Sequence, residues 1–190
     1  PEMSRGLGDV YKRQLESFLN EWIVYANAYS MLITPSDKRE KKYILENALN
    51  DTIMLNIKTT YPFLLGIMHD YINGKIDNEE TAGILRLIES YAVRRSICGI
   101  QGGALSQAMA STYKELTEKY KEDFYDDAFN KVATKMASIN TNAYFPKNSQ
   151  FMDGFTSRDM YSSPLKKYVL YKLENSFQDK EIINLSLIHI

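Results

Sequence analysis

The sequence is poor in the residues that usually announce a small protein's chemistry. Its 190 residues hold one cysteine, Cys98, and two histidines. A single thiol excludes a disulfide framework and a cysteine-based zinc site. Prolines number five and glycines nine, with no low-complexity tract, which excludes a collagen-like or disordered chain. Neither sign of charge dominates, since 23 Lys and Arg against 24 Asp and Glu leave a net of -1. That balance argues against a basic binder holding nucleic acid by bulk charge, and leaves a local basic patch open. No apolar run approaches about 20 residues, the length a membrane span requires, so no membrane partner is expected. One domain is expected at this length.

The two ends differ from the body. Residues 1–14, PEMSRGLGDVYKRQ, have no sustained apolar stripe and lack the apolar centre of a targeting peptide. Residues 185–190, LSLIHI, are equally abrupt. Both strings resemble translated sequencing-adaptor DNA. The expected organisation is an adaptor-derived tail at 1–14, a helical domain fragment at 15–184 and a second tail at 185–190. On that reading the natural protein continues in both directions, and His69 is the one interior histidine.

What the interior does have is helical periodicity. Leu15, Phe18, Leu19, Trp22, Ile23, Ala26 and Ile33 fall on one helix face, and Pro35 ends the run. Ser36 or Asp37 is placed to cap a second helix with the stripe Leu45, Ala48, Leu49, Thr52, Ile53 and Ile57. A third starts near Pro62, where a missing N–H costs nothing, and stops at Asn73-Gly74. Asp77, three residues before Glu80, fits a capping box. It opens a fourth helix with Ile84, Leu87, Ile88 and Tyr91 inward and Gly99 as its stop. Gly102-Gly103 breaks the chain before a fifth helix, with Leu105, Ala108, Met109, Thr112, Leu116 and Tyr120. A sixth carries Tyr125, Ala128, Phe129, Val132, Met136 and Ile139. Residues 140–150 read as a loop whose aromatics pack back onto the body, followed by a short helix near Phe151 to Phe155. Ser163-Pro164 opens the last helix, with Leu165, Val169, Leu173 and Phe177. The expected fold is all-α, about seven amphipathic helices in an irregular bundle, with tyrosine rings in the core and their hydroxyls on polar partners. No fixed-period repeat supports a solenoid.

Arg94-Arg95 lies near the end of the fourth helix, Arg94 beside Tyr91 and Cys98, Arg95 on the face of Ile88 and Tyr91. A partly buried guanidinium must find anions or carbonyl acceptors. The pair therefore serves either structural ion pairing that ties neighbouring loops or contact with a phosphate backbone. No catalytic, metal-binding or cofactor-binding residue is assigned. Cys98 reads as a buried structural thiol, and His69 as a hydrogen-bonded structural group. Glu122-Asp123 and Asp126-Asp127, like Glu79-Glu80, suit the positive start of a helix and lack the glycine-centred spacing of a calcium loop. Gly99, Gly102 and Gly103 lack the lysine of a phosphate loop, and HExxH, GxSxG and zinc-finger spacings are absent. Read from its residues alone, the chain is a helical scaffold or protein-interaction domain without enzymatic activity.

Three separated pieces, taken in order, resemble a known family. YPFLLGIMHDYINGKIDNEE, then LIESYAVRRSICGI, then YFPKNSQF with KKYVLYKLE are similar to the helical middle and rear region of GmrSD-type restriction endonucleases. The family's RRxICG segment is Arg94-Arg95-Ser96-Ile97-Cys98-Gly99 here. Its F-P element is Phe145-Pro146, and its tyrosine-leucine helix carries Tyr168, Leu170, Leu173 and Glu174. The resemblance covers most of Leu15 to Asn184. It implies a parent that cleaves foreign DNA bearing modified, often glucosylated, cytosines, as a type IV-like enzyme does; a cytoplasmic location is expected from the lack of a signal or membrane segment. It further implies a ParB/sulfiredoxin-like nucleotide-using domain before this region and an HNH nuclease motif after it. A nucleoside triphosphate and a divalent metal would serve those parts, and DNA would be the partner of the whole. Neither motif is present here, so the main expectation is an inactive helical fragment with no cofactor of its own. Ile188-His189-Ile190 imitates the centre of the family's Ile-Glu-His-Ile-x-Pro-Gln pattern, but Leu187 stands where Glu is needed and no Pro-Gln follows. His189 therefore receives no metal or catalytic duty. The chain also departs from the family at Gln101-Gly102-Gly103, where Asn-containing positions are common, and at Lys147-Asn148, where an acidic residue is favoured.

Overall fold

A computed structural model describes residues 2–37, 43–100 and 103–177. The helices are α1 (Glu2–Ile33), α2 (Ile44–Leu55), α3 (Tyr61–Ile72), α4 (Asn78–Ile97), α5 (Gly103–Tyr120), α6 (Ala128–Ser138), α7 (Asn148–Ser157) and α8 (Lys166–Phe177). Two 3-10 turns, Lys58–Thr60 and Lys121–Asp126, complete the order, and no strand occurs among the described residues. The fold is all-α, as expected.

Helix ends follow short-range chemistry. Pro62 occupies the first turn of α3, and Gly74, at φ 71, takes the left-handed conformation past its end. Asp77 Oδ1 accepts the Glu80 N–H at 2.8 Å to open α4. The other half of the expected capping box is not made. Glu80 Oε1 instead accepts the Phe129 N–H at 3.0 Å, so a side chain of α4 satisfies an orphan donor in the first turn of α6. α4 closes at Gly99, where the Ile100 N–H reaches the Arg95 carbonyl at 2.9 Å and the Gly99 N–H that of Ser96 at 3.1 Å.

Packing arranges the first six helices in two rows. α1, α3 and α5 form one and α2, α4 and α6 the other, with cross-contacts α1 to α2, α3 to α4 and α5 to α6. α7 docks on α4, and α8 on α2. The main core lies between the rows and is built from Phe63, Leu64, Ile67, Met68, Ile84, Leu85, Ile88, Tyr91, Met109, Phe124 and Val132, among others. Each such side chain, fully withdrawn from water, contributes roughly 1.5–3 kcal/mol before entropy is set against it. A smaller cluster of Leu55, Ile97, Leu165, Tyr168 and Val169 seats α7 and α8 through Phe151 and Phe155.

Several local expectations give way to tertiary demands. Neither Ser36 nor Asp37 caps the second helix, which begins at Ile44. Ser36 exchanges two hydrogen bonds with the buried Asn50, its N–H to Oδ1 at 2.8 Å and Nδ2–H to its carbonyl at 3.0 Å. Ile57 falls beyond α2, which stops at Asn56 in the left-handed region, φ 50. The expected loop ends early, because α7 takes up Asn148 to Gln150. In α8 the buried positions are Tyr168, Val169 and Tyr171, while Leu173 and Phe177 are exposed. α1 is the longest of the described helices. It runs through residue 14 without interruption, and its regular apolar face points to solvent: Leu15, Phe18, Leu19, Trp22, Ile23 and Ile33 are all exposed. The helix meets the body through Ala28 and Leu32 instead, with Met31 packed beside them. Gln101, Gly102 and the tail at 185–190, including His189, lie outside the described residues.

Candidate functional site

Arg94 and Arg95 are brought against the loop that the sequence marked for packing back. Arg95 is 2% exposed; its Nη1 donates to the Asn142 carbonyl at 2.9 Å and the Tyr144 carbonyl at 3.2 Å. Its guanidinium lies over the Tyr91 ring at 5.5 Å, and the Tyr91 hydroxyl donates to the Ala143 carbonyl on the same loop. Arg94 is half-buried. Its Nη1 donates to the Pro146 carbonyl at 3.3 Å, and it stands over Phe145 at 5.7 Å and Phe151 at 5.2 Å. Arg158 adds a third guanidinium, donating to the Ser96 and Ile97 carbonyls at the end of α4. Positive groups at a helix C-terminus complement its partial negative charge. These acceptors are main-chain carbonyls, one of the two kinds of partner, anion or carbonyl, that a partly buried guanidinium was expected to need. A guanidinium as buried as that of Arg95 has no room for a phosphate backbone.

A second polar centre sits on α3. Asp70, 1% exposed, receives the Tyr113 hydroxyl at 2.7 Å on Oδ2 and the Tyr125 hydroxyl at 3.4 Å on Oδ1. Lys75 donates to the Tyr125 hydroxyl at 3.2 Å and lies over its ring at 4.6 Å. His69 Nδ1 stands 3.5 Å from Asp70 Oδ1, and its ring stacks on Tyr25 at 4.6 Å, so the histidine joins α1 to this centre. Burial, followed by the Asp70 hydrogen bond, raises the Tyr113 phenol far above its usual value. Beside it, between the end of α3 and the start of α4, a cleft of about 680 Å³ is lined by Lys75, Asp77, Glu80, Tyr125 and Asp126. Asp77 and Glu80 are engaged there in capping α4 and α6.

The third centre links α2, α4 and α8. Lys172 Nζ lies 2.5 Å from Asp51 Oδ2 and 2.8 Å from Glu89 Oε1, and the Tyr168 hydroxyl also donates to Glu89. Burial holds the Asp51 carboxyl above its usual value against the pull of Lys172. Burial also acts to lower the Lys172 ammonium, but Glu89 and Asp51 together outweigh it and hold it above its usual value. Tyr168 is raised by burial and then by Glu89.

These shifts fix a pH dependence. The native phenols of Tyr113 and Tyr168 keep their protons above pH 10.0, where those of the unfolded chain lose theirs. Lys172 likewise keeps its proton above 10.5. A group raised in the native state contributes stability below its unfolded value and loses it as the pH rises through the native one. All three signs agree, so the midpoint of urea unfolding should fall steadily from pH 9 to pH 11. Phenolate absorbance of Tyr113 and Tyr168 should appear together with unfolding and not before it. A midpoint that is flat over that range would contradict the assignment.

Of the remaining candidates, Cys98, expected to be buried, is half-buried. Burial pushes the Cys98 thiol up, with Arg94 opposing, which is the wrong direction for a thiolate nucleophile. Asp127 accepts from Asn130 Nδ2 at 2.9 Å, and Asp123 offers its carbonyl to Lys131. Among the described residues no three His, Cys, Asp or Glu side chains stand together as metal ligands, and no helix is long and apolar enough to cross a membrane. Sequence reasoning missed Asp51, Asp70, Glu89 and Lys172. The signal was present for Asp70, an acid in helical register with Phe63 and Ile67 on an otherwise apolar face. Compared with known protein families, curated proteins and solved structures, the chain matches none.

Proposed function

We propose that this chain is a helical scaffold that works by docking to protein, with the apolar face of α1 as its contact surface. The observation that carries the reading is the row Leu15, Phe18, Leu19, Trp22 and Ile23, exposed on a helix whose later turns are anchored in the body. Contiguous apolar surface of this kind marks a contact site, because leaving it in water forfeits the free energy of burial. The body supports the role as a platform. Its buried Arg95 is tethered to the 142–144 carbonyls, and the half-buried Lys172 to Asp51 and Glu89. A photo-crosslinking residue placed at Trp22 should therefore form a protein adduct in cells, and one placed at Asn20, on the opposite side of α1, should not. Equal yields from the two faces would remove the reading.

A second reading sets the scaffold inside a GmrSD-like, modification-dependent endonuclease of the cytoplasm. Its support is the ordered resemblance, joined by one spatial fact. The Arg94-Arg95 pair touches the stretch Tyr144 to Pro146, and Tyr168 bonds Glu89 on the same helix α4, so three pieces far apart in sequence meet. On that reading DNA cleavage belongs to a metal-dependent HNH part beyond these residues, and α1 faces a neighbouring part of the parent. The gene past Asn184 tests it: a Glu-His-Ile-x-Pro motif close behind supports the parent nuclease, and a stop codon there removes it.

A further inference from the structure

We propose that the occupant of the α1 face is a second copy of this chain, the two α1 helices pairing antiparallel. The inference rests on the reading of α1 as a docking surface and names its partner. Tyr11, Leu15, Phe18, Trp22, Tyr25 and Tyr29 alternate spacings of four and three, the seam of a two-helix contact. A two-fold axis at the level of Asn20 sets Leu15 against Tyr25 of the second copy, Phe18 against Trp22 and Tyr11 against Tyr29. Every layer is then apolar from both sides, and no charged residue enters the seam. Moving the axis one heptad towards the C-terminus calls on Leu32, which is 0% exposed and already packed in the body. Moving it one heptad the other way leaves the outer faces of Tyr25 and Tyr29 in water, since Tyr25 stacks on His69 and Tyr29 meets Tyr61 yet both stay exposed. Only the central register pairs all six seam residues.

The area is adequate. At roughly 100 Å² for each exposed side chain, the six seam residues from Tyr11 to Tyr29 offer about 600 Å² per copy, about 1,200 Å² in all, the lower end of specific stable interfaces. A membrane surface is a poorer occupant. α1 carries Glu16 and Glu21 against Lys12 and Arg13, not the basic polar face that anionic lipid selects.

Trp22 is the one tryptophan and is 63% exposed, so it reports the contact directly. Sedimentation of the full chain, from submicromolar upward, should show its mass rise from 21.9 kDa to twice that value. Trp22 emission should move to the blue with the same midpoint. Phe18→Glu should weaken association by about 100-fold while leaving helix content and the unfolding midpoint of the dilute chain unchanged. Ser17→Glu, on the polar side, should leave association as it is. In a Cys98→Ser background, Leu15→Cys and Tyr25→Cys chains should crosslink to each other and neither to itself. Self-crosslinking of Leu15→Cys overturns the antiparallel register, and a mass of one chain at every concentration overturns the second copy. If that monomer still gives a Trp22 adduct with another protein, the pairing fails while the docking reading stands. A blue shift produced only by anionic vesicles overturns both.

Discussion

Replacing Arg95 with leucine is expected to lower the free energy of unfolding by about 3 kcal/mol, read as a lower urea midpoint at unchanged slope. Leucine refills part of the volume under the loop, so the cavity left behind is small. What disappears is the donor. The carbonyls of Asn142 and Tyr144, now held at 2.9 and 3.2 Å, lose their shared partner beneath the loop. A stranded acceptor costs about 1–3 kcal/mol, and Asn142, being exposed, recovers water more readily than Tyr144, so the sum falls in the middle of the range. Arg94→Leu should cost only about 1 kcal/mol, because it gives up two long hydrogen bonds, to the Pro146 carbonyl and the Ser90 hydroxyl, and two ring contacts at a half-buried site. The contrast between neighbours is the informative result. Equal small losses at both positions would mean that the pair faces solvent, and the phosphate-contact alternative would regain its footing.

That contrast also shows what could be read from the chain and what could not. The need of Arg95 for acceptors was legible, since a guanidinium shares a helix face there with Ile88 and Tyr91, and so was the folding back of the aromatic loop. Their meeting was not, because Asn142 is 47 residues away and local rules carry no information about which loop arrives. Pro62, Asp77 and Gly99 announced helix ends correctly because a ring constraint, a short carboxylate and a missing Cβ act within one turn. Glu80 obeyed the same grammar in position only. Its carboxylate went to Phe129, 49 residues on, where the first turn of α6 lacked an acceptor. Periodicity identified an apolar face on α1 without saying whether anything would cover it. On α3 the burial extends around most of the helix, including Gly66 and Asp70, because the helix lies in the middle of its row between α1 and α5 and also against α4. The triad of Lys172, Asp51 and Glu89 joins positions 121 residues apart, and no spacing rule reaches that far.

An alanine at Gly66 is expected to destabilise the native chain by about 2 kcal/mol, and to stabilise it by about 0.5–1 kcal/mol once Tyr113 has been truncated to alanine. Gly66 is buried within α3, where alanine is the better helix former by about 1 kcal/mol, so propensity alone favours the substitution. The obstacle is a ring. A Cβ at Gly66 would stand 2.6 Å from Tyr113 Cγ and Cδ2 and 2.7 Å from Cδ1, distances that real Cβ contacts do not show. The ring cannot simply swing aside, because its hydroxyl is held 2.7 Å from Asp70 Oδ2 at the far end. Relief of the clash must therefore weaken the bond to a buried carboxylate. The strain of about 1–3 kcal/mol and the lost hydrogen bond of about 1 kcal/mol together exceed the propensity gain. Tyr113→Ala removes ring and clash together, and the sign reverses. That variant itself should cost about 3 kcal/mol, so the four-member cycle is measured in an osmolyte such as TMAO that raises every member. Equal costs in the two backgrounds would locate the difficulty in the backbone of α3. A gain in the native chain would mean that the Tyr113 ring does not lie on Gly66, and the tether between α5 and Asp70 would fall with it.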